Sequence, residues 1–214
     1  MASSETRPRG RSRRRAAQMA AAVIGPVLGG LGLTACTPPT GCTTNPSGSP
    51  VIVGPGQTVC LINVTVPGAV IVRPGGTLFM DGATVKGGVS GDGATSVTMC
   101  GSTVKGAVTM RGATGFLLLG GPDLAQLLQQ EDTPCRPNTL LGGVTLAGNH
   151  SSVVLDGNQI SGGVAVASNT GNPLLIGGNT IRGSLACSGN ASPPFTFGPP
   201  NTVSGAETGQ CAGL

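Results

Sequence analysis

Tryptophan and tyrosine are absent from this sequence, and histidine occurs only once. The chain therefore lacks the aromatic platforms on which proteins stack the bases of single-stranded nucleic acids. Charged residues make up 9% of the chain, which leaves little material for a catalytic constellation. No Cys-x-x-Cys pair is present, so the usual ligand sets of a zinc site are also missing. We expect neither a metal nor another cofactor.

The few charges are unevenly distributed. Six of the 12 lysines and arginines lie within the first 15 residues. The residues beyond position 36 hold the other six and seven of the eight acidic residues, which gives them a net charge of −1. That part of the chain has no basic excess with which to attract phosphates, so nucleic acid is excluded as a partner.

Residues 1–35 have the organisation of a secretory signal peptide. An arginine-rich segment ends at Arg15, and an uncharged stretch from Ala16 to Leu33 follows. Glycine and proline interrupt this stretch five times, so it is less apolar than a permanent transmembrane helix. Ser12-Arg13-Arg14 is weakly similar to a twin-arginine signal, but the rest of that motif is missing.

Leu33-Thr34-Ala35-Cys36 resembles the lipobox of bacterial lipoproteins. The resemblance implies that diacylglycerol is attached to Cys36, which becomes the new N-terminus after cleavage, and that the membrane is a partner. Residues 36–50, rich in proline, glycine, serine and threonine, then form a tether. The protein is expected on the outer face of the cell membrane. The alternative is ordinary signal-peptidase cleavage and release of a secreted protein.

A repeat of about 20 residues follows the tether. Without a period, 38 glycines and 17 prolines would indicate disorder. Here residues 78–89, 97–108, 153–164 and 174–185 align, and aliphatic side chains recur at four positions of each repeat. Residues two apart lie on one face of a strand, and residues one coil apart stack about 4.8 Å from each other. Four columns of side chains are therefore expected to fill one interior: Leu78, Val97, Leu117, Val153 and Leu174; Met80, Met99, Leu119, Leu155 and Ile176; Val85, Val104, Leu140, Ile160 and Ile181; Val89, Val108, Val144, Val164 and Leu185.

One repeat is longer than the others because it contains an additional block, residues 122–137. Its first part, 122–130, begins with proline and aspartate and continues with leucine, alanine and glutamine, which predicts a short helix. We interpret the block as a helical insertion at a corner of a coil.

These features predict an all-β, single-domain, right-handed parallel β-helix over residues 51–211, with six to seven coils from about Val51 to Ser204. Pairs of glycines let the chain turn corners where a Cβ atom would clash. Two ladders of asparagine are expected to stack along the solenoid, because asparagine tolerates left-handed φ and its amide can bond to the next coil. The ladders are Asn138, Asn158, Asn179 and Asn201, and Asn149, Asn169 and Asn190.

The coils resemble right-handed parallel β-helix proteins. The run from Gly183 to Asn190, followed by Gly209-Gln210-Cys211, resembles the end of uncharacterised secreted β-helix proteins of actinobacteria. The resemblance implies a fold, an exported location and a late cysteine pair that closes the last coil, but no activity. Cytoskeletal bactofilins have similar coils and polymerise, but the export signal and closed ends favour a monomer.

If Cys36 carries lipid, six cysteines remain, an even number that suggests three disulfides in an exported protein. Fifteen pairings are possible. We predict that bonds close both ends of the solenoid and bracket the insertion, with the sequential pairing Cys42–Cys60, Cys100–Cys135 and Cys187–Cys211.

Three functions remain open. A non-catalytic structural or adhesive protein of the cell envelope is favoured by regular coils with plain outer faces. A glycan-binding module would use an outward column of Lys86, Lys105 and Arg182 together with the insertion. A carbohydrate-active enzyme, such as a polysaccharide lyase or hydrolase, would need paired carboxylates on one face. Asp81 and Asp156 are expected three coils apart, about 14 Å, which is too far for such a pair. The single His150 is interpreted as a surface residue.

Overall fold

The computed structural model describes residues 38–121 and 135–214, which form a right-handed parallel β-helix. Each coil contributes short strands to three parallel sheets, named here A, B and C. The predicted signal peptide, Cys36 and the predicted helix within 122–130 lie outside the described residues.

Sheet A contains β1 (Thr43–Thr44), β3 (Thr58–Ile62), β6 (Thr77–Asp81), β9 (Ser96–Cys100), β12 (Leu117–Gly120), β15 (Val153–Asp156) and β18 (Leu174–Gly177). Sheet B contains β2 (Val51–Val53), β5 (Val70–Val72), β8 (Val89–Asp92), β11 (Val108–Arg111), β14 (Val144–Ala147), β17 (Val164–Ala167), β20 (Leu185–Ser188) and β22 (Glu207–Gly209). Sheet C contains β4 (Thr65–Val66), β7 (Thr84–Val85), β10 (Thr103–Val104), β13 (Thr139–Leu140), β16 (Gln159–Ile160), β19 (Thr180–Ile181) and β21 (Thr202–Val203).

The corner between sheets C and B depends on glycine. At the corner before β17, a Cβ atom on Gly162 would lie 2.5 Å from the backbone nitrogen of Gly143 in the preceding coil. The second glycine of the pair, Gly163, has more room, because its Cβ atom would approach the oxygen of Ser184 to 3.3 Å. The predicted clash at the glycine pairs is confirmed, and at this corner it falls on the first glycine.

The four predicted aliphatic columns are confirmed by the register of the sheets. In sheet A, Leu78 lies beside Val97 and Met80 beside Met99. These side chains are at most 1% exposed. The columns also extend further toward the N-terminal end through Val59, Leu61, Val66 and Val70. Full burial of one such side chain stabilises the fold by about 1.5–3 kcal/mol, so the stacked interior is the main favourable contribution to folding.

The solenoid has about eight coils instead of the predicted six to seven, and its strands extend beyond the predicted coil range from Val51 to Ser204. Strand β1 pairs with β3 through Thr43 and Val59, and β22 pairs with β20 through Glu207 and Leu185. Sheet B therefore holds eight strands among the described residues. The two terminal strands, Thr-Thr and Glu-Thr-Gly, carry no aliphatic column, which is why the repeat does not reveal them. Part of the segment predicted as a tether thus belongs to the first coil.

Both asparagine ladders are present, and all seven asparagines are buried. Asn158 shows the pattern: its Oδ1 accepts from the backbone N–H and the Nδ2 of Asn138, and its Nδ2 donates to Oδ1 of Asn179. The left-handed φ expected of asparagine is wrong for the ladders. The residue before five of the seven asparagines adopts it instead, for example Gly157 at +70° and Ser168 at +56°, whereas Asn138 and Asn201 follow proline. Gln210 ends the second ladder by accepting from the backbone N–H and the Nδ2 of Asn190.

Candidate functional site

The outer face of sheet C presents two neighbouring columns of side chains. The first column consists of Thr65, Thr84, Thr103, Thr139, Gln159, Thr180 and Thr202. The second lies two residues further along each coil and consists of Pro67, Lys86, Lys105, Leu141, Ser161, Arg182 and Ser204. Strand residues between the columns, such as Val85 and Val104, point into the core. The face therefore combines hydroxyls with three cations, and neither column contains a carboxylate.

The structure brings together two of the three predicted ligand-face residues. Lys86 and Lys105 are exposed and lie on consecutive coils, about 4.8 Å apart along the solenoid axis. Leu141 and Ser161 separate Lys105 from Arg182. Arg182 therefore lies three coils from Lys105, about 14 Å along the axis, so the basic stripe is interrupted.

A second exposed surface lies on the outer face of sheet B. Arg73, Asp92 and Arg111 follow one another on consecutive coils beside an outward column that includes Ile71 and Ser90. These residues line a shallow groove of about 400 Å³. The charges alternate in sign along the axis, so this groove offers no uniform attraction for a long anion.

Asp81 and Asp156 do not form a carboxylate pair. Asp81 accepts a hydrogen bond from the guanidinium of Arg136, with 2.9 Å between Oδ1 and the nitrogen. Asp156 is 1% exposed and lies three coils from Asp81, as predicted. His150 is exposed, and its Nδ1 lies 3.2 Å from the hydroxyl oxygen of Thr170. Among residues 38–121 and 135–214, no cluster of three histidine, cysteine or acidic side chains could hold a metal ion.

Three disulfides join the six cysteines of the described chain, in the predicted pairing. The Cα atoms are 5.8 Å apart in Cys42–Cys60, 4.9 Å in Cys100–Cys135 and 5.1 Å in Cys187–Cys211. Cys187 and Cys211 lie in the aliphatic interior at the C-terminal end of the solenoid. The first bond joins Cys42, which directly precedes the outermost strand β1 at the opposite end, to Cys60 in the neighbouring strand β3. Both ends of the solenoid are therefore covalently closed.

The disulfide between Cys100 and Cys135 belongs to a second apolar cluster, on the outer face of sheet A. Leu118, Val154 and Leu175 stack there and are at most 3% exposed, and Phe116 and Phe197 pack against them. This cluster was not predicted from the sequence. The signal for it was present, because strands that are buried on both faces have continuous apolar runs, as in the Leu-Leu-Leu of β12.

The N-terminal end of the solenoid combines an uncharged stretch of chain with exposed aliphatic side chains. No acidic or basic residue occurs between Cys36 and Arg73. Ile52 and Ile71 lie side by side on the outer face of sheet B and are 45% and 36% exposed. Further along the same column the residues are serine, threonine and alanine. The exposed aliphatic part of this column is thus confined to the first two coils.

No helix in the described part of the chain is both long and apolar enough to cross a membrane. No protein-family model, no curated protein and no solved structure matches this sequence.

Proposed function

We propose that the protein is a non-catalytic, exported protein of the cell envelope, with a structural or adhesive role and a lipid anchor on Cys36. The observation that carries the proposal is the use of the cysteines. All six cysteines of the described chain are joined in disulfides, as is typical of proteins from oxidising compartments. The seventh, Cys36, directly follows the predicted signal peptide and ends a lipobox-like tetrapeptide.

Within the described part of the chain, the separation of Asp81 from Asp156 supports a non-catalytic role. Glycoside hydrolysis requires two carboxyl groups within about 10 Å of each other on one face. Here Asp81 is paired with Arg136, and Asp156 is buried three coils away. A regular solenoid with closed ends instead suits a protein that acts as a spacer of fixed length or presents a fixed surface outside the cell.

Intact mass spectrometry of the mature protein from its native host tests this proposal. The expected mass is that of a chain that begins at Cys36 and carries a diacylglyceryl group. It is lower by two hydrogens for each of three disulfides. A Cys36→Ser variant should lose the lipid and appear in the medium or remain unprocessed. A mature protein that begins elsewhere and lacks lipid would refute the anchor.

The outer face of sheet C favours a second candidate function, the binding of an extracellular glycan. Lys86 and Lys105 lie side by side next to a column of hydroxyls, without a carboxylate in either column. The chemistry fits an extended, acidic polysaccharide that runs along the solenoid axis.

The test is co-sedimentation with purified, acidic wall polysaccharide at low and high salt. The double variant Lys86→Gln/Lys105→Gln should lose most of the binding, because two adjacent charges contact the same polymer. Arg182→Gln, which removes a cation about 14 Å from Lys105 along the axis, is the matched control and should retain it. Equal binding by both variants, or no binding by the unmodified protein, would refute this candidate.

A further inference from the structure

The chain between the proposed lipid and the first coil is short. Strand β1 and the disulfide between Cys42 and Cys60 fix the chain to the solenoid from Cys42 onward. Only six residue steps separate Cys36 from Cys42, and they span at most about 22 Å when fully extended. Only residues 36–41 of the predicted tether therefore precede the part that is fixed to the solenoid.

This length limits how the solenoid is oriented on a membrane. The eight strands of sheet B are separated by seven intervals of about 4.8 Å, so the solenoid is about 34 Å long. The attachment point, Cys42, lies at the end of the solenoid that contains β1. A linker of about 22 Å cannot reach past the whole solenoid, so an anchored molecule cannot stand on its C-terminal end.

The surface at the anchored end is suited to a lipid headgroup layer. It carries no charge before Arg73, and it exposes Ile52 and Ile71. Arg73 and Lys86 follow in the next coils, within the screening length of about 8–10 Å from the first coil, and the carboxylate between them in the sequence, Asp81, is paired with Arg136. The opposite end of the same column exposes Thr208 next to Glu207, and the single cation near that end, Arg182, lies about one coil before Glu207. Anionic lipids would therefore favour the N-terminal end over the C-terminal end.

We propose that the protein stands on the membrane on its first coils, with Ile52 and Ile71 in contact with the headgroup layer of an anionic membrane. The inference rests on the lipid anchor of the proposed function and adds an orientation and a contact surface to it. The C-terminal end and most of sheet C would then project away from the membrane.

The absence of tryptophan and tyrosine allows a direct test. Ile52→Trp places a single fluorophore at the proposed contact, and Thr208→Trp places one at the far end of the same outward column. Each lipidated protein is reconstituted into vesicles of phosphatidylcholine and phosphatidylglycerol, with and without lipids brominated near the headgroup. Ile71→Trp is a second reporter if the first variant folds poorly.

Bromolipid should quench the emission of the tryptophan at position 52 or 71 and leave that at position 208 unchanged. Equal quenching along the column would mean that the solenoid lies flat, and quenching at no position would mean that the first coils do not touch the membrane; either result overturns the inference. Both results leave the proposed anchor intact if mass spectrometry detects the lipid on the protein and the protein floats with the vesicles. A protein without lipid on Cys36 would refute the anchor, and with it the inference.

Discussion

Removal of one amide from the middle of an asparagine ladder should destabilise the protein severely. In Asn158→Ala, the backbone N–H of Asn138 loses its acceptor at 3.1 Å, and the carbonyl of Leu119 loses a donor at 2.8 Å. The side-chain bonds to Asn138 and Asn179 are lost as well. The site is buried, and each buried group left without a partner costs about 1–3 kcal/mol. The expected loss is therefore about 3–6 kcal/mol, a large share of the stability of an ordinary domain.

Urea unfolding followed by far-ultraviolet circular dichroism measures this loss, because the chain has no tryptophan or tyrosine for fluorescence. Disulfides are kept oxidised throughout. Gln159→Ala is the matched control, since its side chain is exposed in the neighbouring position of β16, and it should change the free energy of unfolding by less than about 0.5 kcal/mol. A loss below about 1 kcal/mol for Asn158→Ala would show that the ladder does not stabilise the fold and would refute the reasoning.

Two further changes probe the corners and the C-terminal closure. Gly162→Ala should lower the free energy of unfolding in urea by about 1–3 kcal/mol, because its Cβ atom would lie 2.5 Å from a backbone nitrogen. Gly163→Ala, in the same pair, should lower it by less. The reverse order would contradict the corner geometry. Replacing Cys187 and Cys211 together with alanine should lower the unfolding free energy by about 3 kcal/mol for a loop of this size. Hydrogen exchange should then accelerate first in residues 207–211, and unchanged exchange there would refute a closing role for this bond.

Much of the fold was predictable because the interior imposes two periods at once. Alternation along a strand and repetition along the coil together assign each aliphatic residue to a column, so the sequence alone places Val85 and Val104 side by side, as they are in sheet C. The same alignment shows why Arg182 lies far from Lys105, since Leu141 and Ser161 occupy the intervening coils. The interruption of the stripe was therefore readable from the sequence, once the whole outward column was written out.

Features without an aliphatic repeat were harder to predict. Strands β1 and β22 are held by pairing to one neighbour and by nearby disulfides, and their sequences contain no apolar alternation. Gln210 ends a ladder of asparagines although it breaks the residue pattern, because its longer side chain brings the same amide to Asn190. Such positions are defined by geometry at the ends of the solenoid, where the next coil no longer constrains the residue type.

The attachment of the chain to the solenoid at Cys42 also changes how the outer faces can be used. A tether of 15 residues would let the domain rotate freely above the membrane, and every face would be equally available to partners. With Cys42 bound to Cys60 and β1 paired with β3, the proposed anchor instead holds the first coil close to the bilayer. On a molecule held in this way, Lys86 and Lys105 lie near the membrane and Arg182 lies far from it, because they occupy different coils of sheet C. A polymer bound along sheet C would therefore run away from the membrane, parallel to the solenoid axis.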